Sequence, residues 1–265
     1  MGPCIGKDVG MNRFDGQHVL VTGGADGLGY ASALRLAQEG AVVGLVDING
    51  DAVEDAAGRL TERGYVSRAY TVDVTDPAQV HEAFDDFEAQ FGSIEVLVNM
   101  AGTYPPVDFD SMTLDRWRQI LAVNLDATFV TCQDVLPRMK KHRFGRISTV
   151  SSGTVKIGQF SSAAYIAAKS GVIGLTRVLA REGGPHGITA NTIMPGPIAT
   201  RQIQGLVGEG QTLEEAMAPL IEPQCVPRPG LPEDIAEGVA YACSPGAGFF
   251  TGQVLYIGGG DTFTD

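Results

Sequence analysis

The chain has 265 residues, of which 44% are hydrophobic and 19% charged, a composition that suits one large globular α/β domain. Its 31 acidic and 19 basic residues give a net charge of −12, which argues against nonspecific binding to nucleic acid or to an anionic membrane. The four cysteines are far apart and form no CxxC pair, so we expect reduced thiols and neither a disulfide framework nor a metal site.

Two segments bear on targeting. The first 14 residues contain no apolar stretch of the signal-peptide type. The long uncharged stretch over 238–260 is interrupted by CSPGAG and ends in three glycines, which indicates a helix end, a loop and a strand rather than a membrane span. We therefore expect a soluble, cytoplasmic protein with no membrane partner.

Seven apolar runs of strand length alternate with amphipathic, helix-like segments. They are HVLVT from His18, AVVGLVD from Ala41, SRAYTVDV from Ser67, IEVLVN from Ile94, GRISTVS from Gly145, ITANTIM from Ile188 and QVLYIG from Gln253. Apolar strands separated by helices are typical of a parallel sheet covered on both faces. The sequence predicts an α/β protein with a doubly wound Rossmann fold and about seven parallel strands.

No linker, repeat or change of composition marks a second domain, so residues 1–265 are predicted to form one domain. We expect residues 12–150 mainly to bind a cofactor and residues 151–265 to supply the catalytic and substrate-binding half. The segment from about 200 to 232 is irregular and rich in Pro, Gly and Gln. It is predicted to be a mobile flap over the site.

The first strand runs directly into TGGADGLG at residues 22–29, in which Gly23, Gly27 and Gly29 follow the pattern G-x-x-x-G-x-G. Glycines permit a tight turn and a close approach of backbone to a pyrophosphate at a helix N-terminus. Alone, the turn is equally compatible with an ordinary βα loop. Its place between the first strand and the first helix of an alternating α/β pattern favours the dinucleotide interpretation.

Asp47 ends the second predicted strand, 18 residues after Gly29. A carboxylate there can accept hydrogen bonds from the adenosine ribose diol and would repel a 2′-phosphate. Neither GGADGLG nor DINGDA contains an Arg or Lys to offset that repulsion. A solvated strand end or helix cap is the alternative for Asp47 taken by itself. Together with the glycine turn, it predicts NAD rather than NADP.

Tyr165 and Lys169 are four residues apart, within a run of alanines, glycines and aliphatic residues. On a helix these two side chains share one face, and an ammonium can lower the pKa of a nearby phenol from its usual value of about 10. Ser152 precedes Tyr165 by thirteen residues, at the end of a predicted strand. A half-buried Tyr and a snorkelling Lys would be the ordinary explanation of the pair alone.

Taken together, these motifs resemble those of the short-chain dehydrogenase/reductase family over nearly the whole chain. The matching stretches are TGGADGLG, DV at Asp73, NMAG from Asn99, Asn124 in ILAVNLDATF, VSSG, YIAAK, PGPIAT from Pro195, RPGLPEDIA and TGQVLYIGGG. Met100 departs from the family, which more often has a second Asn there, and we expect the change to be silent.

The resemblance implies roles for four catalytic residues. Tyr165 would be the general acid in ketone reduction or the base in alcohol oxidation, and Lys169 would lower its pKa and bind the nicotinamide ribose. Ser152 would hold and polarise the substrate oxygen. Asn124 would position a water in a proton relay behind Lys169. Ser151 is expected to be structural, and Ser161 and Ser162 to cap the helix that carries Tyr165.

The predicted cofactor residues are Gly23, Asp26, Gly27, Leu28, Gly29, Asp47, Ile48, Asp73, Val74, Asn99, Ala101, Gly102, Tyr165, Lys169, Pro195, Gly196, Ile198 and Thr200. The predicted substrate residues are Tyr104, Ser152, Thr154, Phe160 and Tyr165. Because this set is mostly apolar and holds no basic cluster, the sequence favours a neutral hydrophobic alcohol or ketone, such as an aromatic, terpenoid or other cyclic one. A sugar alcohol or a steroid is an open alternative.

Other interpretations remain open at this point. A 3-oxoacyl-(acyl-carrier-protein) reductase usually requires NADPH and a basic docking surface, which Asp47 and the net charge count against. A noncatalytic NAD-binding protein of the same fold is the other alternative, although it could have lost Ser152, Tyr165 or Lys169. The resemblance also implies a homotetramer, or a homodimer, formed in part by the helix over 124–142.

Overall fold

The computed structural model describes residues 12–200 and 210–263. Seven strands form one parallel sheet in the order β3-β2-β1-β4-β5-β6-β7. They are β1 His18–Thr22, β2 Val42–Asp47, β3 Ser67–Thr71, β4 Val96–Asn99, β5 Gly145–Val150, β6 Ile188–Pro195 and β7 Val254–Ile257. The predicted fold class is confirmed.

Helices cover both faces of the sheet. They are α1 Gly27–Gln38, α2 Gly50–Glu62, α3 Pro77–Phe91, α4 Leu114–Leu121, α5 Ala127–His142, α6 Thr154–Ile157, α7 Ala163–Gly183, α8 Leu213–Ile221 and α9 Pro232–Cys243. Alternate residues of β1 supply the two cores: Val19 and Val21 pack in the core under α1, α2 and α9, and Leu20 in the core under α3, α5 and α7. This period of two explains why the central strands are apolar throughout.

The direction in which successive strands are added to the sheet reverses at β1: β2 and β3 lie on one side of it, and β4 to β7 lie on the other. The last residues of β1, β2 and β4, which are Thr22, Asp47 and Asn99, therefore lie at one edge of the sheet, here called the carboxyl edge. A crevice at such a reversal is the usual ligand site of a doubly wound sheet. The glycine turn that follows β1 opens onto this edge, where the sequence places the cofactor.

Helix α7 and the 3₁₀ turn after it form an apolar segment, Ala163–His186, long enough by length and composition to cross a membrane. In the fold this segment packs against β6, and it buries Ala164, Ala168, Val172 and Leu179 as well as the ammonium-bearing Lys169. These are the contacts of a core helix. The apolar character of α7 is therefore accounted for by packing against the sheet.

The structure corrects three local expectations. The third strand ends at Thr71, so Asp73 lies in the following turn rather than on the strand. Ser162 is the N-cap residue of α7, but its hydroxyl makes no capping hydrogen bond and instead donates to the Phe160 carbonyl at 2.9 Å. Part of the segment predicted to be irregular forms α8, which begins at a Thr212 capping box. Residues 201–209 lie outside the described residues, and the mobility of the flap stays a prediction.

Candidate active site

The glycine turn is built so that backbone, not side chain, lines its inner wall. A Cβ on Gly23, whose φ is +65°, would lie 2.8 Å from the Ala101 amide nitrogen, and one on Gly29 would lie 2.0 Å from the Gly23 carbonyl oxygen. Gly27 has a φ of +54°, and a Cβ there would meet no atom within 4 Å. Backbone atoms therefore pack closely against Gly23 and Gly29, whereas the space at Gly27, at the N-terminus of α1, is open. This geometry fits a pyrophosphate.

Asp47 is held in a fixed orientation at the carboxyl edge. Its Oδ2 accepts from the Ala25 amide at 3.3 Å and its Oδ1 from the Asn49 amide at 3.1 Å. The neighbouring Ile48 side chain is 69% exposed. An oriented carboxylate beside an exposed apolar side chain suits a ribose diol and a nucleobase.

Two predicted cofactor residues have local partners. The Asp73 carboxylate accepts from the amide and the hydroxyl of Thr75, at 2.9 and 2.7 Å, and so closes the turn that leads through Val74 to α3. Asn99 is buried, and its Oδ1 accepts from the Thr131 hydroxyl at 2.8 Å. Both side chains shape the carboxyl edge from behind. Thr131 was not predicted, because nothing in the sequence links α5 to the end of β4.

A groove of about 420 Å³ lies between α1 and the start of α9, and it reaches the glycine turn and the loop after β6 at one end. Asp26, Gly27 and Thr200 are among its lining residues. Upstream in that loop, the Pro195 carbonyl accepts from the Gly153 amide, and the Gly196 amide donates to the Ile257 carbonyl at 2.9 Å. The Ile198 side chain is buried, and its backbone pairs with Gly230. Any contact of Ile198 with a ligand is therefore through its backbone.

Lys169 and Asn124 meet at the start of the loop after β4. A Cβ on Gly102 would lie 2.8 Å from Asn124 Oδ1 and 3.3 Å from Lys169 Nζ, which places the amide and the ammonium around one glycine. Both side chains are buried, at 0% and 3% exposure. Lys169 Nζ also lies 5.7 Å from the centroid of the Tyr165 ring. These three predicted catalytic residues are thus brought together.

Asn124 lies in a π-helical turn, Ala122–Asp126, between α4 and α5. Its Nδ2 donates to the Ile120 carbonyl at 3.0 Å and its Oδ1 accepts from the Thr103 amide at 3.1 Å. Single π turns are often found at functional sites because they redirect a side chain inside an otherwise regular helix. Here the turn holds the amide against the loop beside Lys169.

The two serines at the end of β5 have different environments. The Ser151 hydroxyl is buried and donates to the Lys169 carbonyl at 2.9 Å, which joins the strand to α7. Ser152 Oγ accepts from the Thr154 hydroxyl at 2.9 Å, so its own hydrogen is left to point elsewhere. This arrangement gives Ser151 a structural contact and leaves Ser152 half-buried at the site.

Burial controls the electrostatics of the site. It raises the pKa of Tyr165 to about 12, with the Ser152 side chain acting in the opposite direction. It lowers the pKa of Lys169 from 10.5 to about 8. The expectation that the pKa of Tyr165 lies below its usual value of about 10 is therefore wrong for the protein alone, because loss of hydration raises it. The part that Lys169 plays in setting this pKa stays a prediction. Tyr165 keeps its proton at neutral pH.

An aromatic wall adjoins the Tyr165 phenol. The Tyr104 ring meets the Tyr165 ring edge-on, with centroids 4.9 Å apart, and the Tyr104 hydroxyl pairs with the Ser162 hydroxyl at 2.8 Å. Phe160, predicted to bind substrate, is 91% exposed. Tyr104 therefore fixes the Tyr165 ring, whereas Phe160 lies at the surface.

A polar wall, formed by Lys156, Tyr256 and Asp261, was not predicted. A Cβ on Gly153, the residue after Ser152, would lie 3.2 Å from the Tyr256 hydroxyl. That hydroxyl donates to the Asp261 carboxylate, and Lys156 Nζ lies 5.4 Å from the Tyr256 ring centroid. Lys156, soon after VSSG, and Asp261, directly after QVLYIGGG, were visible in the sequence. Only the fold brings them together.

Comparisons with known proteins agree with this geometry. A family model described as Enoyl-(Acyl carrier protein) reductase matches residues 23–262. The chain is 36% identical to the uncharacterised oxidoreductase YxjF of Bacillus subtilis, over 93% of this chain and 98% of that protein. It is 35% identical to the D-threitol dehydrogenase of Mycolicibacterium smegmatis, over 94% of each.

The chain is also similar to an acyl-carrier-protein reductase and to a solved structure. The chain is 34% identical to the 3-oxoacyl-[acyl-carrier-protein] reductase FabG of Escherichia coli, over 94% of this chain and 98% of that protein. A crystal structure from Agrobacterium tumefaciens, provisionally assigned as a gluconate dehydrogenase, superimposes with a TM-score of 0.89 at 27% identity. That match covers 95% of this chain and 98% of the other. Matches of this extent include both the glycine turn and the corner that holds Tyr165.

Proposed function

Because the chain belongs to the short-chain dehydrogenase/reductase family of oxidoreductases, which bind a nicotinamide cofactor, we propose that it transfers hydride between NAD(H) and a secondary alcohol or ketone. One observation carries the proposal: Tyr165, Lys169 and Asn124 converge at the carboxyl edge, next to a glycine turn that fits a pyrophosphate. The nicotinamide, when bound, supplies or accepts the hydride.

The residues of this chain handle the proton and the oxygen. Tyr165 holds a proton at neutral pH and donates it to the oxygen of a ketone as that oxygen gains charge. Ser152, oriented by the Thr154 hydroxyl, donates a second hydrogen bond to the same oxygen. Lys169 binds the nicotinamide ribose, and Asn124, which lies beside it around Gly102, positions a water in a proton relay behind Lys169.

The preference for NAD over NADP is supported by Asp47. Its carboxylate is oriented by two backbone amides at the carboxyl edge, where a ribose diol can donate to it. Asp26 adds a second acid in the glycine turn. A 2′-phosphate on that ribose would meet the negative charge of Asp47.

The substrate is proposed to be a neutral secondary alcohol or its ketone. The aromatic wall of Tyr104 favours an apolar or cyclic group on one side of Ser152. The polar wall favours a second candidate, a polyhydroxylated alcohol, because Asp261 and Tyr256 can pair with additional hydroxyl groups. The similarity to a D-threitol dehydrogenase supports that candidate.

An acyl-carrier-protein substrate is the remaining enzymatic candidate, supported by the similarity to FabG. The net charge of −12 opposes docking of an acidic carrier. A noncatalytic NAD-binding role is opposed by the presence of Ser152, Tyr165 and Lys169 in one corner.

The test is NADH formation across a panel of cyclic, aromatic and polyhydroxylated secondary alcohols, with NADP as the cofactor control. A 3-oxoacyl thioester with NADH and NADPH forms the reductive arm. We expect turnover with NAD and at least one alcohol class. Tight NADH binding with no turnover on any arm would favour the noncatalytic role, and turnover confined to the thioester would favour the acyl reductase.

A further inference from the structure

The side chain of Arg59, on α2, contacts the glycine turn. Its Nη2 donates to the Ala25 carbonyl at 3.5 Å, and its guanidinium carbon lies 4.0 Å from the centroid of the Tyr30 ring. Both contacts bring a cation to the turn that fits the pyrophosphate. No basic residue within the turn itself could do this, since GGADGLG contains none.

Ala25 links Arg59 to Asp47. The Ala25 amide donates to Asp47 Oδ2 at 3.3 Å, while its carbonyl accepts from Arg59. One residue of the turn therefore contacts both the acid expected to bind the ribose diol and the guanidinium. A phosphate on the ribose 2′-oxygen would be placed between opposite charges.

The hydrogen-bonding capacity of Arg59 is only partly used. Nε is buried and forms an ion pair with Asp55, whose Oδ2 lies 3.0 Å away, and the nearby Tyr30 hydroxyl is buried and unpaired, so only the Nη end of the guanidinium can reach a ligand. The side chain is nevertheless 42% exposed. Guanidinium groups recognise phosphates through several N–H donors at once, and an Arg with spare donors and an exposed end can turn toward one.

From these contacts we propose that Arg59 is a second cofactor-specificity residue, which binds the adenosine 2′-phosphate of NADP(H) when the Asp47 carboxylate is removed. The proposal rests on the dinucleotide site of the proposed function. It implies that the NAD preference depends mainly on Asp47, and that the cation required for NADP(H) is already in place on α2.

The test measures NADPH and NADH binding by calorimetry, so that it needs no substrate. Four proteins are compared: the native chain, Asp47→Ser, and Asp47→Ser combined with either Arg59→Met or Arg63→Met. Arg63, the exposed C-cap residue of the same helix, is the matched control for loss of one positive charge. NADH affinity and circular dichroism report whether each variant is folded.

We expect Asp47→Ser to gain NADPH affinity, Arg59→Met to reverse that gain by roughly tenfold or more, and Arg63→Met to change it less than about threefold. If Arg59→Met fails to fold, Arg59→Lys should lose part of the gain, because an ammonium lacks the planar fork. The proposal is overturned if Asp47→Ser gains nothing, or if the Arg59 and Arg63 variants behave alike. Failure of the native chain to bind NADH would instead refute the proposed function.

Discussion

At the level of single residues, the Tyr165 hydroxyl is the group on which the proposed reaction depends. Tyr165→Phe removes it while leaving the ring packed against Tyr104. We expect NADH binding to survive and turnover to fall by about 10²–10⁴-fold, as is typical when a general acid is lost. Steady-state kinetics beside NADH titration checks this. A folded variant with near-native turnover would exclude Tyr165 as the proton donor.

Lys169 illustrates a cost of catalysis to stability. Its pKa is lowered to about 8 in the folded chain, so below pH 8 the fold must bury a charged ammonium. The unfolded chain then binds the proton more tightly, and stability from this group should rise as pH increases from about 8 to 10.5. Lys169→Met should remove that rise and increase the free energy of unfolding at pH 7 by on the order of 3 kcal/mol.

Urea denaturation of the native chain and Lys169→Met at pH 7 and pH 9.5 provides the measurement. The variant should also lose turnover and bind NADH more weakly. Equal stability of the two proteins at pH 7 would show that burial of the ammonium is compensated within the fold.

At the level of elements, the turn between β1 and α1 depends on a glycine that no other residue can replace. Gly23→Ala combines a positive φ with a Cβ only 2.8 Å from the Ala101 amide nitrogen. We expect a loss of about 1–3 kcal/mol in stability and a large loss of NADH affinity. Gly58→Ala is the control, since its Cβ on α2 would meet nothing within 4 Å. That variant should gain about 0.5–1 kcal/mol in thermal or urea unfolding. Similar effects of the two changes would contradict the requirement for glycine in the glycine turn.

Elements were predictable to the extent that their signals are local. The seven strands, the glycine turn and the Tyr165–Lys169 spacing are written in periodicity and in neighbouring residues. The polar wall is not, because Lys156 and Tyr256 are a hundred residues apart in the chain. The direction in which the pKa of Tyr165 shifts was not predictable either, because desolvation depends on all the groups packed around the ring. Local sequence patterns predicted the fold and the identities of the catalytic residues, whereas tertiary packing determined the pKa of Tyr165.

At the level of the whole molecule, we propose a homotetramer. Helices α5 and α7 are neighbours, and they expose Phe129 and Val178 at 47% and 53%. A second copy covering these helices would bury both side chains. The edge strand β7 and exposed Phe263 offer a second contact surface.

Light scattering at micromolar concentration should show four copies, and Phe129→Glu should lower the mass to a dimer or monomer. Phe249→Glu, at a fully exposed aromatic residue outside α5 and α7, serves as the control and should leave the mass unchanged. A monomeric native chain would refute the assembly.

The π turn at Ala122–Asp126 has a consequence for how this chain tolerates length changes. The Ala127 amide donates to the Ala122 carbonyl five residues back, whereas an α-helix would bond residues four apart. Helices α4 and α5 therefore run on continuously through the π turn, which contains one residue more than an α-helical turn. One residue corresponds to about 100° of rotation. Deleting one residue of the π turn would leave an unbroken α-helix. It would also rotate α4 relative to α5 and move Asn124 away from Gly102. This continuous helix should therefore accept many substitutions but no one-residue deletion, and its length is under functional constraint that helix propensity does not impose.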